Sequence, residues 1–144
     1  MAGKSVWIDN ECPNIREGGY TLTSSASKYY NCIAWVIGDT TKWWSHKQGY
    51  QWLNAPRNPK VESLVGVFAA IGYALCDSAS LENGFEKVAV YEKAGLWTHA
   101  SRQLPDGQWT SKLGEGEDIE HNSPDDLSGD LYGAVHCIMR KRRT

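Results

Sequence analysis

A chain of 144 residues with a formal net charge of −2 is the size of one ordinary domain. Its near balance of charge argues against a surface that tracks phosphate, and no apolar run approaches the roughly 20 residues of a membrane span. Seven Trp and seven Tyr accompany only two Phe, so many rings carry a polar tip that can reach water or a partner.

A single domain over residues 1–144 is expected. The start, Met1-Ala2-Gly3-Lys4-Ser5, lacks the long apolar stretch of a secretory signal, which points to a cytoplasmic protein. Cys12, Cys32, Cys76 and Cys137 are scattered and form no Cys-x-x-Cys, so reduced thiols are expected and no zinc site or other cofactor is read.

Residues 1–28 hold Pro13, Gly18, Gly19 and a Thr/Ser run, and read as an extended N-terminal arm. A short helix follows from Asn31 to Gly38, where Ile33, Ala34, Val36 and Ile37 leave little polar surface. Gly38 is a natural stop. Residues 40–59 form an aromatic-rich loop with Trp43 and Trp44. Val61, Leu64, Val65, Phe68 and Ile71 recur on one helical face, and Gly72 closes that helix. Tyr73 to Cys76 reads as a short strand.

Strand patterns dominate from Glu86. Lys87 to Tyr91 and Trp97 to Leu104 are strands, Pro105-Asp106-Gly107 is a hairpin turn, and Gln108 to Leu113 is the returning strand. Asp118 to Asp130 reads as irregular, with one helical turn starting at Ser123-Pro124. Leu131 to Met139 is the last strand, and residues 140–144 are a basic, solvated tail. Helices first and an antiparallel sheet second imply an α+β fold, with N-terminal helices packed on a C-terminal antiparallel sheet.

Cys32 is the candidate nucleophile. It heads an apolar helix, where free N–H groups stabilise a thiolate and can hold an oxyanion. His99 is the candidate base, flanked by the small residues Thr98 and Ala100. Alternation along the strand puts His99, Ser101 and Gln103 on one face. Ser111, on the returning strand, is the group placed to orient His99, with Asp118 or Glu120 as carboxylate alternatives and His121 as an alternative base. Asn31, Trp35, Trp43, Trp44, Gln103 and Trp109 are the expected substrate-binding residues. The scattered His and Asp residues suggest no metal site.

The Tyr30-Asn31-Cys32-Ile33-Ala34-Trp35 block, the Trp43-Trp44 pair, Gly84 to Ala89, and the Thr98-His99-Ala100 to Gly114 block resemble an uncharacterised bacterial domain family from about Asn14 to Arg140. The order of helix-borne Cys, strand-borne His and a polar residue on the next strand is also similar, more distantly, to the papain-like superfamily with its NlpC-like and CHAP-like amidases. That likeness implies a papain-like layout, with Cys32 as nucleophile, His99 as base and a third position near Ser111. The chain departs from that pattern, because no Asn, Asp or His occupies the third position.

The expected activity is therefore a cysteine hydrolase or acyl-transferase acting on an amide or peptide bond through a Cys32–His99 pair. One alternative is a non-catalytic binding module with an aromatic-lined surface. Another is a toxin-type effector that modifies a target protein. The expected partner is a peptide or protein, with neither nucleic acid nor membrane involved.

Overall fold

The computed structural model describes residues 20–24, 32–37, 44–47, 52, 55–112, 118–129 and 131–143. Among them are seven strands, here β1 (Tyr20–Ser24), β2 (Ala74–Cys76), β3 (Phe85–Lys93), β4 (Leu96–Gln103), β5 (Trp109–Lys112), β6 (Asp118–His121) and β7 (Ala134–Arg142). Two helices, α1 (Cys32–Ile37) and α2 (Val61–Ile71), and a 3-10 turn (Pro124–Leu127) complete the described elements.

The strands form one antiparallel sheet in the order β1-β6-β5-β4-β3-β7-β2. Strand β3 is central, pairing with β4 on one side and β7 on the other. Its residues Val88 to Tyr91 are fully buried whichever way they point, so both faces of the sheet are covered there. The Pro105-Asp106-Gly107 turn joins β4 to β5 as the sequence leads one to expect, with Gly107 at φ 92°.

Helix α2 follows its sequence pattern. Val61, Leu64, Val67 and Phe68 are buried on one side. At its end Gly72 takes φ 113°, and the Gly72 and Tyr73 N–H groups donate to the carbonyls of Ala69 and Phe68. That left-handed turn satisfies the last helical carbonyls. Ahead of the helix, Asn58 Oδ1 accepts from the Lys60 N–H at 3.0 Å and from Ser63 Oγ at 2.7 Å.

The expected α+β arrangement, with helices first, a sheet second and a papain-like layout, is not what the chain adopts. The fold is nearly all β. Strand β1 precedes both helices yet belongs to the same sheet, and α1 spans only six residues. Two strands escape the sequence reading. β1 lies inside the segment expected to be an irregular arm, and β6 lies inside the stretch expected to be irregular. They pair with each other, Tyr20 opposite His121 and Leu22 opposite Ile119, so each is stabilised by a partner remote in sequence rather than by its own pattern. The basic tail is likewise structured at its start. Arg140 to Arg142 are the last residues of β7, Arg140 pairs with Glu82, and Lys141 lies 3.4 Å from Glu86.

The two faces of the sheet carry different cores. On one, α1 and α2 pack Ile33, Ala34, Leu64, Val67 and Phe68 against Val88, Val90, Ala100 and Met139. On the other, the 3-10 turn and its flanks bring Leu127 and Tyr132 onto Ala89, Tyr91, Trp109 and Ile119, with Tyr20 of β1.

Candidate functional site

Strand alternation decides the fate of the Cys32–His99 pair. In β4, Ala100 pairs with Val90 and belongs to the helical face, where Cys32 is packed in the same cluster. His99 pairs with Tyr91, and its ring stacks on Tyr132 at 4.4 Å and meets Tyr91 edge-on at 5.1 Å. Tyr91 and Tyr132 belong to the core of the other face. The thiol and the imidazole therefore lie on opposite sides of the sheet, and the expected dyad does not form. Adjacent strand residues point to opposite faces, so a helix that covers Ala100 cannot also meet His99.

Neither group is activated where it sits. Burial pushes the Cys32 thiol up to about 11, against smaller lowering effects from nearby backbone N–H groups and Lys112. A thiol shielded in this way packs as a small apolar group. Burial drives His99 down to about 3, helped by the positive charge that His121 can carry. Both nitrogens of His99 are shielded from water and have no hydrogen-bond partner.

Ser111 does contact a histidine, but it is His121. Its Oγ lies 2.8 Å from His121 Nε2 and 2.7 Å from Ser101 Oγ. Ser101 Oγ donates to Tyr91 Oη at 3.1 Å, and Tyr91 Oη donates to the Pro124 carbonyl at 2.6 Å. His121 Nδ1 lies 2.9 Å from the Ser123 carbonyl, which can only accept, so Nδ1 carries a proton. Tyr91, Ser101, Ser111 and His121 thus form a buried polar seam that links β3, β4, β5 and β6 to the backbone of the 3-10 turn. Burial lowers the His121 pKa to about 4, while the Ser123 carbonyl and the charge of Asp126 pull it up.

The expected binding residues are dispersed. Trp44 is buried in the helical-face core and Trp109 in the opposite one. Gln103 is buried and donates from Nε2 to the Ala79 carbonyl at 2.9 Å, while its Oε1 lacks a partner. Trp35 lies in α1. Asn31 and Trp43 fall outside the described residues. Glu120 is partly exposed, and it pairs with Thr110 and Thr21 rather than approaching His99. Among the described residues no group of three His, Cys, Asp or Glu side chains could hold a metal ion.

A different aromatic grouping is present. Trp52 and Trp97 stack at 6.0 Å, and the His46 ring stands edge-on to both, at 6.3 Å and 5.7 Å. Trp52 Nε1 donates to the Pro56 carbonyl at 3.1 Å. Trp97 Nε1 and His46 Nδ1 have no partner. His46 and Trp97 are partly exposed, and Trp97 is fixed through its backbone N–H to the Pro59 carbonyl at 3.0 Å. Sequence reading placed an aromatic loop here but chose Trp43 and Trp44. The bulge that separates Tyr91↔His99 from Glu92↔Trp97 turns Trp97 towards that loop, and no local pattern marks a bulge at this place.

No described helix is long and apolar enough to cross a membrane. No curated protein and no solved structure matches the chain, so nothing among them supports the papain-like resemblance. One family model does match, over residues 21–140, and it takes in every described element except the first residue of β1 and the end of β7. The chain belongs to the family described as "Domain of unknown function (DUF7689)".

Proposed function

We propose that this domain is a non-catalytic binding module for a peptide or protein partner, and that its contact surface is the aromatic corner of His46, Trp52 and Trp97. The observation that carries this reading is the state of the ring nitrogens. Trp97 holds an N–H donor that nothing in the described protein accepts, beside two further rings with apolar faces. A donor shielded from water and left unbonded is costly, so a small outward turn of the partly exposed Trp97 ring, which brings Nε1 to an acceptor on a partner, repairs that cost. A peptide offers the matching chemistry, a backbone carbonyl for Trp97 Nε1 and an apolar or flat side chain for the ring faces. The separation of Cys32 from His99 by the sheet weighs against the hydrolase alternative.

Two measurements test the reading. Peptides selected from a random display library on the full chain are titrated by tryptophan fluorescence. Trp97→Phe, which keeps a ring but removes the donor, weakens binding about tenfold. Equal affinity for the wild type and Trp97→Ala sinks the proposed surface. Iodoacetamide at pH 8 addresses the enzyme alternative: Cys76 and Cys137, which are partly exposed, label before the buried Cys32. Preferential labelling of Cys32 returns the hydrolase to first place.

A further inference from the structure

The polar seam on the face opposite the helices holds two buried imidazoles in unequal settings. His121 has a partner on each nitrogen. Ser111 has one proton and two neighbours at bonding distance, Ser101 Oγ and His121 Nε2. When His121 is neutral, Nε2 accepts from Ser111. When it is protonated, Nε2 donates to Ser111, whose own proton turns to Ser101. One hydroxyl rotation thus accommodates a proton there. His99 has no such provision. Both of its nitrogens are unbonded and its ring is held between Tyr132 and Tyr91.

Among the described residues, what lies over this seam is thin. The 3-10 turn is attached through Tyr91 to the Pro124 carbonyl, His121 to the Ser123 carbonyl and the burial of Leu127, while Tyr132 is held through its carbonyl by Thr98 Oγ1. The groups facing the two imidazoles are Tyr91 from β3, Ser101 from β4, Ser111 from β5, Tyr20 from β1, Asp126 from the 3-10 turn, and Tyr132. Among the described residues Asp126 is the carboxylate that acts on His121, and it already accepts the N–H groups of Asn122 and Ser123. Among the described residues no carboxylate offsets a charge on His99, where burial and His121 both disfavour it.

We propose that the segment from Ser123 to Gly129, with Tyr132, is an acid-released cover over the polar seam, and that His99 is the group that releases it. In stronger acid the covered state can take a proton at His121 by rearrangement, whereas a charged His99 has to reach water, which requires the stacked ring of Tyr132, and with it the 3-10 turn, to move. On the helical side the described histidine is His46, which is partly exposed at the aromatic edge and can meet water without opening the packing of α2, so release is confined to the cover. This inference is independent of the aromatic corner and stands or falls separately.

Hydrogen–deuterium exchange on the full chain at pH 7.5 and pH 5.0, corrected for the intrinsic pH dependence of exchange, tests it. An opened imidazole with an ordinary pKa raises the open population at pH 5.0 on the order of thirtyfold, because the open state binds the proton and the covered state does not. Amides from Ser123 to Gly129 and around Tyr132 therefore accelerate at pH 5.0, while those from Leu64 to Ile71 of α2 keep their protection. In His99→Leu the acceleration falls by roughly that thirtyfold share. If that variant does not fold, His99→Phe keeps a ring between Tyr132 and Tyr91 and serves the same purpose. Equal acceleration in α2 and the cover, an unchanged cover at pH 5.0, or an undiminished response in the folded His99 variant overturns the proposal.

Discussion

The two faces of this sheet solve the same problem with different materials. The helical face buries apolar side chains from α1 and α2, and its described histidine, His46, sits partly exposed at the aromatic edge rather than under the helices. Among the described residues the opposite face is covered by a four-residue turn and a tyrosine, and its interior contains His99, Ser101, Ser111 and His121 beside Tyr91. A thin cover cannot supply enough apolar area by itself, so hydrogen bonds from the sheet to its backbone hold it down. Hydrogen bonds from titratable or hydroxyl groups are conditional, whereas buried methyl groups are not. One sheet therefore has a side whose packing under α2 rests on apolar contacts and a side whose cover rests on groups that respond to pH.

The comparison can be broken by mutation. Leu64→Ala empties a fully buried position under α2 and costs about 4 kcal/mol, by the same amount at pH 7.5 and pH 5. Urea titrations at both pH values check this, and a strong pH dependence of the loss denies the helical face its independence. Acid tests the other side. His99 and His121 have folded pKa values of about 3 and about 4, below the ordinary 6.5. The unfolded chain binds protons that the folded one refuses. Stability is therefore complete above about pH 6.5 and declines as pH falls towards those folded values. At pH 5 each histidine contributes a loss of about 2 kcal/mol. His99→Leu removes its share and also deletes two unsatisfied buried nitrogens, so it is more stable than the wild type at pH 5.

Smaller changes sharpen the contrast. Tyr91→Phe leaves the Pro124 carbonyl without its donor and costs about 1–2 kcal/mol, with faster exchange in the cover rather than in α2. Asp126→Ala loses the carboxylate that accepts the Asn122 and Ser123 N–H groups, a cost of about 1 kcal/mol. The same change removes the charge that favours a proton on His121 and lowers that pKa further. An NMR titration of the His121 ring that shows an upward shift contradicts the assignment of Asp126.

Local signals carried part of this structure into the sequence. The 3.6-residue period of Val61, Leu64 and Phe68, the stop at Gly72, the Pro105-Asp106-Gly107 turn and the single helical turn at Ser123-Pro124 all act within a few residues, and each is present. Alternation put His99, Ser101 and Gln103 on one face of β4. What alternation cannot say is which face the helices cover. That single binary choice decided whether Cys32 could meet His99, and it was taken the wrong way. Strands β1 and β6 were missed for a related reason: each is short, mixed in composition and stabilised by the other. The Ser111–His121 contact depends on β6 being a strand in register with β5, Trp109 opposite His121, so it was hidden together with that strand. The Trp97 position depends on a bulge, which a period-two pattern does not announce.

The pairing of β1 with β6 also orders events in time. Tyr20 to Ser24 emerge from the ribosome before either described helix, yet the strand they join, Asp118 to His121, is made only after four other strands of the same sheet. Closing so long a loop is slow, and an unmated strand is an invitation to wrong neighbours. Residues 20–24 therefore wait without their β6 partner while the intervening residues are made, and shielding them over that interval suppresses wrong pairing.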